Sequence, residues 1–222
     1  MLPNVYAWQW NTHQNIIEFV YLHLDQETQQ KLNLTALREG AIIPDRDFKD
    51  VQFHHYPSAL TEAKKWLNND TDISLNLGIA SHYITDSFVA AHNVKKEKPA
   101  DHAKFENQVK TYLPNVDCKN DGSKLEDLEK ATINAKDWPV WLKTKDKKIA
   151  EREVDEATIF LFSIILTELN ASCRSKTNII KTEFITNEKK IIITFIFFIG
   201  LFLLKVMSKK KKSEESKEVL LK

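Results

Sequence analysis

Apolar residues recur at intervals of three and four along most of the chain, which is the spacing of one helix face. With only four Gly and six Pro, the sequence has few of the turns that a sheet would need. The pattern therefore predicts an all-α domain. The predicted helices cover residues 12–32, 33–38, 58–67, 73–93 (interrupted after Asp86), 101–113, 125–137 and 146–169, with loops at 44–57 and 114–124. Predicted N-caps are Asn11 or Thr12, Asp101 and Asp146.

The C-terminal region has a different pattern. Residues 191–204 contain no charged side chain, and the apolar run continues through Lys205 to residue 207, giving 17 residues. That length is about the lower limit for a transmembrane helix, and lysines flank the run on both sides. We predict a single-pass membrane anchor at 191–207, preceded by a linker at 174–190 and followed by a polybasic tail at 208–222. The alternative is a buried core helix.

Charge and cysteine content bear on compartment and partners. The net charge is +1, and because residues 205–222 alone carry +4, the rest of the chain sums to −3, so no basic field indicates nucleic acid. Lysines after the anchor predict a cytoplasmic C-terminus and an extracytoplasmic domain. Residues 1–7 are interpreted as a leader or truncated signal; they lack an adequate apolar core, so a cytoplasmic, tail-anchored domain stays possible. Cys118 and Cys173 are either one disulfide or two inert thiols.

Imidazoles and carboxylates recur at helical spacing. His82 and Asp86 lie four residues apart in a strongly apolar helix, and His102 and Glu106 repeat that spacing on the next helix. Further histidines and an acid flank these pairs: His13, Asp45, His54 and His92. Buried polar groups need partners, so either a metal or a buried hydrogen-bonded network is expected. Nitrogen and oxygen donors of this kind suit Zn²⁺.

Six short segments carry a resemblance to a known family. The segments HYITD at 82–86, AHN at 91–93 and HAKFE at 102–106 resemble the signature of the zinc-dependent phospholipase C family, which is related to the S1/P1 nucleases. Upstream, WQWNTH at 8–13, GAIIPD at 40–45 and HHY at 54–56 resemble further family segments in the same order. The resemblance implies a compact multi-helix phospholipase C/P1 nuclease-like domain over residues 8–173.

The resemblance also implies two or three Zn²⁺ per chain, with three groups of ligands. The first is Asp45, His54, His82 and Asp86; the second is Trp8, His13 and the shared Asp86; the third is His92, His102 and Glu106. Family members begin at the Trp and bind zinc through its α-amine and carbonyl, so Trp8 would be a full ligand only if residues 1–7 are removed. His54, not His55, fits the family's ligand position.

The function implied is hydrolysis of phosphodiesters by zinc-activated water, with Asp45 and Asp86 as catalytic residues and Asp45 accepting the proton. Phospholipid is the first choice of substrate because the anchor would hold the site near lipid headgroups. Two alternatives remain: an S1/P1-type single-strand nuclease, with Phe53, Tyr56 or Trp66 stacking on bases, and a non-catalytic zinc-stabilised membrane-anchored module. No oligomeric state is predicted.

Overall fold

The computed structural model describes residues 9–94, 97–132 and 137–174, and within these ranges the chain is helical and contains no β-strand. The chain divides into two units, Met1–Arg174 and Ser175–Lys222, and all described residues belong to the first. The leader at 1–7, Trp8, the linker from 175 on, the anchor at 191–207 and the tail at 208–222 lie outside the described residues. Within the described ranges, no helix has both the length and the apolar character needed to cross a bilayer.

Nine α-helices and four short turns of other helical types make up the described part. The helices are α1 (Trp10–His23), α2 (Gln26–Lys31), α3 (Leu34–Gly40), α4 (Ser58–Leu67), α5 (Ile73–Asp86), α6 (Pro99–Asn107), α7 (Leu128–Ala131), α8 (Asp137–Thr144) and α9 (Lys147–Glu168). A π turn covers Pro44–Phe48, and 3₁₀ turns cover Val51–Phe53, Ala90–Asn93 and Leu125–Asp127. The prediction of an all-α domain is confirmed for these residues.

Several predicted boundaries are confirmed. Helix α4 has the predicted bounds, the helix carrying His82 is interrupted after Asp86, and Asp146 caps α9 by accepting a hydrogen bond from the Lys148 amide. The apolar periodicity was sufficient there because each helix packs one stripe into the core.

Other predictions are wrong, for identifiable reasons. The helix at 12–32 breaks after His23, because Asp25 caps α2 and also bonds Ser172. Gln9 is the N-cap of α1, whereas the Thr12 hydroxyl donates to the Val109 carbonyl.

The later helices differ too. Helix α6 starts at Pro99, where proline's missing N–H costs nothing, and Asp101 binds Lys145 at 2.7 Å instead of capping. In the described part of the polar helix predicted at 125–137, residues 125–132 form a 3₁₀ turn followed by the short α7, and α8 was not predicted.

Helix α5 is the centre of the fold, because all but two of its residues are buried against α1, α3, α4 and α9. Its contact with α3 is a backbone contact: a Cβ on Gly78 would clash with the Leu37 carbonyl oxygen, and one on Gly40 would clash with the Leu75 carbonyl oxygen. Both glycines are therefore needed for the close approach of the two helices. This approach also brings the Ala41 carbonyl within hydrogen-bond distance of the His82 ring.

The C-terminal end of the described domain is hydrogen-bonded to the segment between its first two helices. Asp25 accepts hydrogen bonds from the amide of Ser172 at 2.8 Å and from Thr28, and Leu24 pairs with Cys173 in an isolated antiparallel bridge. Cys118 and Cys173 form a disulfide with a Cα–Cα distance of 5.8 Å. The alternative of two inert thiols is therefore not what the structure shows.

The close approach of α3 and α5 generates a stability prediction. Replacement of Gly78 by Ala should lower the free energy of unfolding by about 3 kcal/mol, because the added methyl meets backbone atoms at the end of α3 and the clash cannot be relieved by a rotamer change. Gly122→Ala is the matched control, because its added Cβ would touch nothing within 4 Å. Its positive φ of 85° is the one source of strain, and we expect that strain to cost about 1 kcal/mol. Urea unfolding checks both values. Equal costs for the two variants would contradict the close-packing argument.

Candidate metal centre

Asp86 lies at the middle of a cluster of buried side chains from four segments. Its carboxylate is reached by His54 Nδ1 at 2.8 Å and His13 Nε2 at 3.3 Å, with His82 Nε2 at 3.8 Å from the preceding turn of α5. All four side chains are at most 2% exposed. The i, i+4 spacing of His82 and Asp86 therefore does put both groups on one buried face.

Asp45 closes the cluster from the π turn at Pro44–Phe48. Its Oδ1 lies 3.7 Å from both His54 Nδ1 and His82 Nε2. Within the described residues, neither carboxylate oxygen of Asp45 makes a hydrogen bond. Ligand atoms within 4.8 Å of one another form two overlapping groups here: His13, Asp45 and His82, and His54, His82 and Asp86.

A separate group comprises His92, His102 and Glu106, whose ligand atoms also lie within 4.8 Å of one another. His102 Nε2 is 2.6 Å from Glu106 Oε1, and the His92 and His102 ring centroids are 4.9 Å apart. The two parts of the cluster adjoin, because His92 Nδ1 is 3.8 Å from Asp86 Oδ2. Every predicted site residue except Trp8, which is outside the described ranges, therefore lies in this cluster, and His54 is buried while His55 is exposed.

Two of the imidazoles are held in a defined tautomer by backbone carbonyls. His82 Nδ1 is 2.8 Å from the Ala41 carbonyl, and His92 Nδ1 is 3.1 Å from the Asp86 carbonyl. A carbonyl oxygen only accepts, so each Nδ1 carries the proton and each Nε2 keeps its lone pair. Within the described residues both Nε2 atoms are buried and make no hydrogen bond.

The same argument applies to His13. The Thr85 hydroxyl donates to the His82 carbonyl at 3.2 Å, so its oxygen accepts from His13 Nδ1 at 3.1 Å. His13 Nε2 then faces Asp86 Oδ1 at 3.3 Å. Orientation by a hydrogen bond on the second ring nitrogen is the usual arrangement of histidines that bind metals.

Carboxylates orient two further histidines, and the sequence analysis missed both. His54 Nε2 lies 3.1 Å from Asp50, whose other oxygen accepts from the Tyr83 hydroxyl at 2.7 Å. Glu97 hydrogen-bonds His102 on the nitrogen opposite Glu106. The spacing of four residues between Asp50 and His54 was the signal available, but it lies in a segment without helical periodicity.

The pKa values of the buried side chains show that some imidazoles stay neutral and that the carboxyl groups beside them attract positive charge. Burial, aided by the nearby Asp86 carboxylate, raises the pKa of Asp45 to about 8. Burial also raises the pKa of Glu106 to about 8. Burial lowers the pKa of His92 to about 3 and that of His82 well below its usual range, so both rings stay neutral and can act as ligands.

For His54 and His102 burial again disfavours the charged form, but neighbouring carboxylates outweigh it. Hydrogen bonds with Asp50 and Asp86 raise the pKa of His54 to about 10. Glu106 and Glu97 raise the pKa of His102 to about 10. The same negative surroundings that favour a proton on these rings favour a divalent cation, which would interact with several carboxylates together.

The donor set fits zinc. Imidazole nitrogens and carboxylate oxygens bind Zn²⁺ at about 2.0–2.2 Å, so an ion placed centrally can reach atoms that lie within 4.8 Å of one another. The buried atoms without hydrogen bonds, which include both oxygens of Asp45 and Nε2 of His82 and His92, are the atoms an ion would engage. An all-helical domain with this buried, pre-oriented donor set belongs to the class of metal-dependent hydrolase folds.

The comparison with protein families identifies the particular family. The sequence matches the family of zinc-dependent phospholipase C over residues 12–171. The chain therefore belongs to this family, whose members are zinc-dependent phosphoric diester hydrolases of the phospholipase C type. Neither the curated proteins nor the solved structures contain a match to the chain.

The Tyr83–Asp50–His54 contacts generate a prediction about metal affinity. Asp50→Asn keeps an acceptor oxygen but removes its charge, so the bond that orients His54 is weakened, and the zinc affinity should fall about 10- to 100-fold. Competition with a graded chelator, followed by zinc analysis, measures the change. Asp47→Asn is the matched control in the same segment, because Asp47 is exposed and pairs only with half-buried Arg46 in the described contacts. An unchanged zinc affinity in Asp50→Asn would contradict the orienting role.

Proposed function

We propose that the chain is a phospholipase C that hydrolyses the headgroup phosphodiester of phospholipids with the help of bound zinc. The observation that supports this most directly is the pair of buried imidazoles, His82 and His92, whose Nδ1 atoms donate to backbone carbonyls and leave the Nε2 lone pairs for a metal. A hydrogen-bonded network without metal would use those lone pairs. Within the described residues they make no hydrogen bonds.

The proposed ligands lie in overlapping groups, namely His13, Asp45 and His82, then His54, His82 and Asp86, and separately His92, His102 and Glu106. We assign one zinc to Asp45, His54, His82 and Asp86. A second is assigned to His13 with the shared Asp86, and a third to His92, His102 and Glu106. Trp8 remains a proposed ligand of the His13 position and lies outside the described residues. Two or three Zn²⁺ per chain are therefore proposed.

In the proposed mechanism the chain's side chains position water and move its proton. Bound zinc supplies positive charge that makes coordinated water a stronger acid and offsets the charge growing on the phosphoryl oxygens. Asp45 is the proposed proton acceptor, because within the described residues neither of its oxygens makes a hydrogen bond, so its carboxylate would help to hold a zinc and would also take up the proton. Asp86 is the proposed second catalytic residue, because its two oxygens face different histidines and would help to hold the zincs of both groups.

Apolar side chains beside the cluster support a lipid substrate. Phe48 and Val51 are 43% exposed and Phe53 is 36% exposed, although all three lie between the buried ligands Asp45 and His54. Exposed apolar groups next to a site indicate an apolar partner, and the acyl region of a bilayer is such a partner. Trp66 stacks on Phe48 with ring centroids 5.6 Å apart, so that face of Trp66 is not available to a nucleic-acid base.

The proposed location is a membrane surface. The Cys118–Cys173 disulfide supports an oxidising compartment, as expected for an extracytoplasmic domain. The proposed single-pass anchor at 191–207 and cytoplasmic polybasic tail would keep the domain close to its lipid substrate. The anchor rests on the sequence pattern alone.

Zinc removal and an acid substitution test the proposal. The purified chain should contain two or three zincs and hydrolyse phosphatidylcholine, and it should lose activity with a chelator and regain it with zinc. Asp45→Asn should lower kcat about a hundredfold or more, because it removes a ligand and a base, whereas Asp47→Asn should not. Full hydrolysis in chelator would refute the proposal. Cleavage of single-stranded DNA without cleavage of phospholipid would favour the nuclease. One tightly bound zinc without any turnover would favour the non-catalytic module.

The exposed apolar segment generates a separate prediction about substrate form. Val51→Ser combined with Phe53→Ser should reduce hydrolysis of phosphatidylcholine vesicles about tenfold, because two apolar side chains no longer enter the lipid. Hydrolysis of a short-chain monomeric phosphatidylcholine should change less than twofold. Leu113→Ser combined with Val140→Ser is the control, since both residues are exposed and lie elsewhere in the chain. Equal losses on vesicles and monomers would contradict bilayer contact.

A further inference from the structure

Glu153 is a buried acid for which the proposed reaction has no use. It lies on α9 and is 0% exposed, and the flanking core residues of the same helix are Ala150, Val154 and Ala157. Burying a carboxyl group among apolar side chains is costly unless the group is bonded. Burial raises its pKa well above the usual range. A residue of this kind needs a specific partner to explain it.

The partner is a backbone amide of the turn that carries His92. Glu153 Oε2 accepts from the Ala90 N–H at 3.0 Å, across 63 residues of sequence. Ala90 is the first residue of the 3₁₀ turn Ala90–Asn93, and the first amides of any helix have no acceptor within that helix. Without Glu153 this buried amide would lack the partner that the structure gives it.

Other ties act within the same segment. The His92 amide donates to the Val89 carbonyl at 2.9 Å, His92 Nδ1 donates to the Asp86 carbonyl at 3.1 Å, and the Asn93 side chain donates to the carbonyls of Ser87 and Val89. These ties begin and end between residues 86 and 93. The Glu153 tie differs from them because it comes from α9, so it connects the turn to a part of the domain that is distant in sequence.

We propose that Glu153 is a positioning residue for the third ligand group: its carboxyl oxygen fixes the turn Ala90–Asn93 so that His92 Nε2 points toward His102 and Glu106. This role depends on the zinc binding proposed above. Glu153 is not a member of any group of ligand atoms within 4.8 Å of one another in the described residues, so it acts through His92 and not as a ligand.

Three substitutions at one position test the role. Glu153→Leu removes the acceptor. Glu153→Asp keeps the carboxyl group but shortens the side chain by one methylene, which moves the acceptor away from the Ala90 N–H. Glu153→Gln keeps an oxygen acceptor at the same length. We expect the Leu and Asp variants to bind one zinc fewer than the wild type, or to hold it about 10- to 100-fold more weakly. The Gln variant should match the wild type within about threefold, since it keeps the bond that orients the turn.

Zinc per chain, measured across a chelator series on the full chain, is the primary measurement. Thermal unfolding in excess chelator separates positioning from folding, because a positioning role predicts cooperative unfolding of the zinc-free variants. Glu151→Leu is the matched control, since Glu151 is on the same helix and pairs with Lys147 at the surface. It should bind zinc as the wild type does.

Each outcome decides the matter. Wild-type zinc number and affinity in the Leu or Asp variant would overturn the role of Glu153 while leaving the proposed function intact. If Glu153→Leu fails to fold, the Asp variant decides alone. Loss of zinc in Glu153→Gln equal to that in Glu153→Asp would show that an oxygen acceptor at the original length is not sufficient, and it would overturn the positioning role. A wild type that binds no zinc would overturn both proposals.

Discussion

The structure depends on the burial of two carboxylates, Asp45 and Asp86, in contact with the same histidines. Each is at most 2% exposed, and an uncompensated buried charge costs several kcal/mol even after relaxation. The domain itself supplies one imidazole with a raised pKa, His54, whereas neutral His82 and His92 present lone pairs, which do not offset negative charge. A divalent cation offsets it, so the folded domain and its zinc are expected to stabilise each other.

The scaffold and the site are built from the same contacts. The backbone contact of Gly40 with Gly78 brings α3 onto α5, and that approach delivers the Ala41 carbonyl to His82. Thr85, one residue before Asp86, serves the fold by bonding the His82 carbonyl and serves the site by accepting from His13. Ligand orientation is therefore a property of helix packing, and this explains why ligands far apart in sequence converge.

How much of the structure the sequence could predict depends on how far apart in the chain the interacting residues lie. The His82–Asp86 and His102–Glu106 pairs lie within single helices, where periodicity determines which side chains share a face. The break between α1 and α2 depends on Ser172, far along the chain, so no local pattern shows it. Glu153 escaped notice for the same reason: on α9 it resembles any other helix acid, and only its contact with Ala90 reveals a role.

One segment connects substrate contact with the metal centre. Between Asp45 and His54, the chain exposes Phe53 to solvent, while Asp50 turns inward to bind His54 and Tyr83. The exposed apolar side chains and the carboxylate that orients His54 therefore belong to one short stretch of chain, which the Tyr83 hydroxyl connects to α5. In the proposed phospholipase, this stretch would meet lipid with one set of side chains and orient a ligand histidine with another.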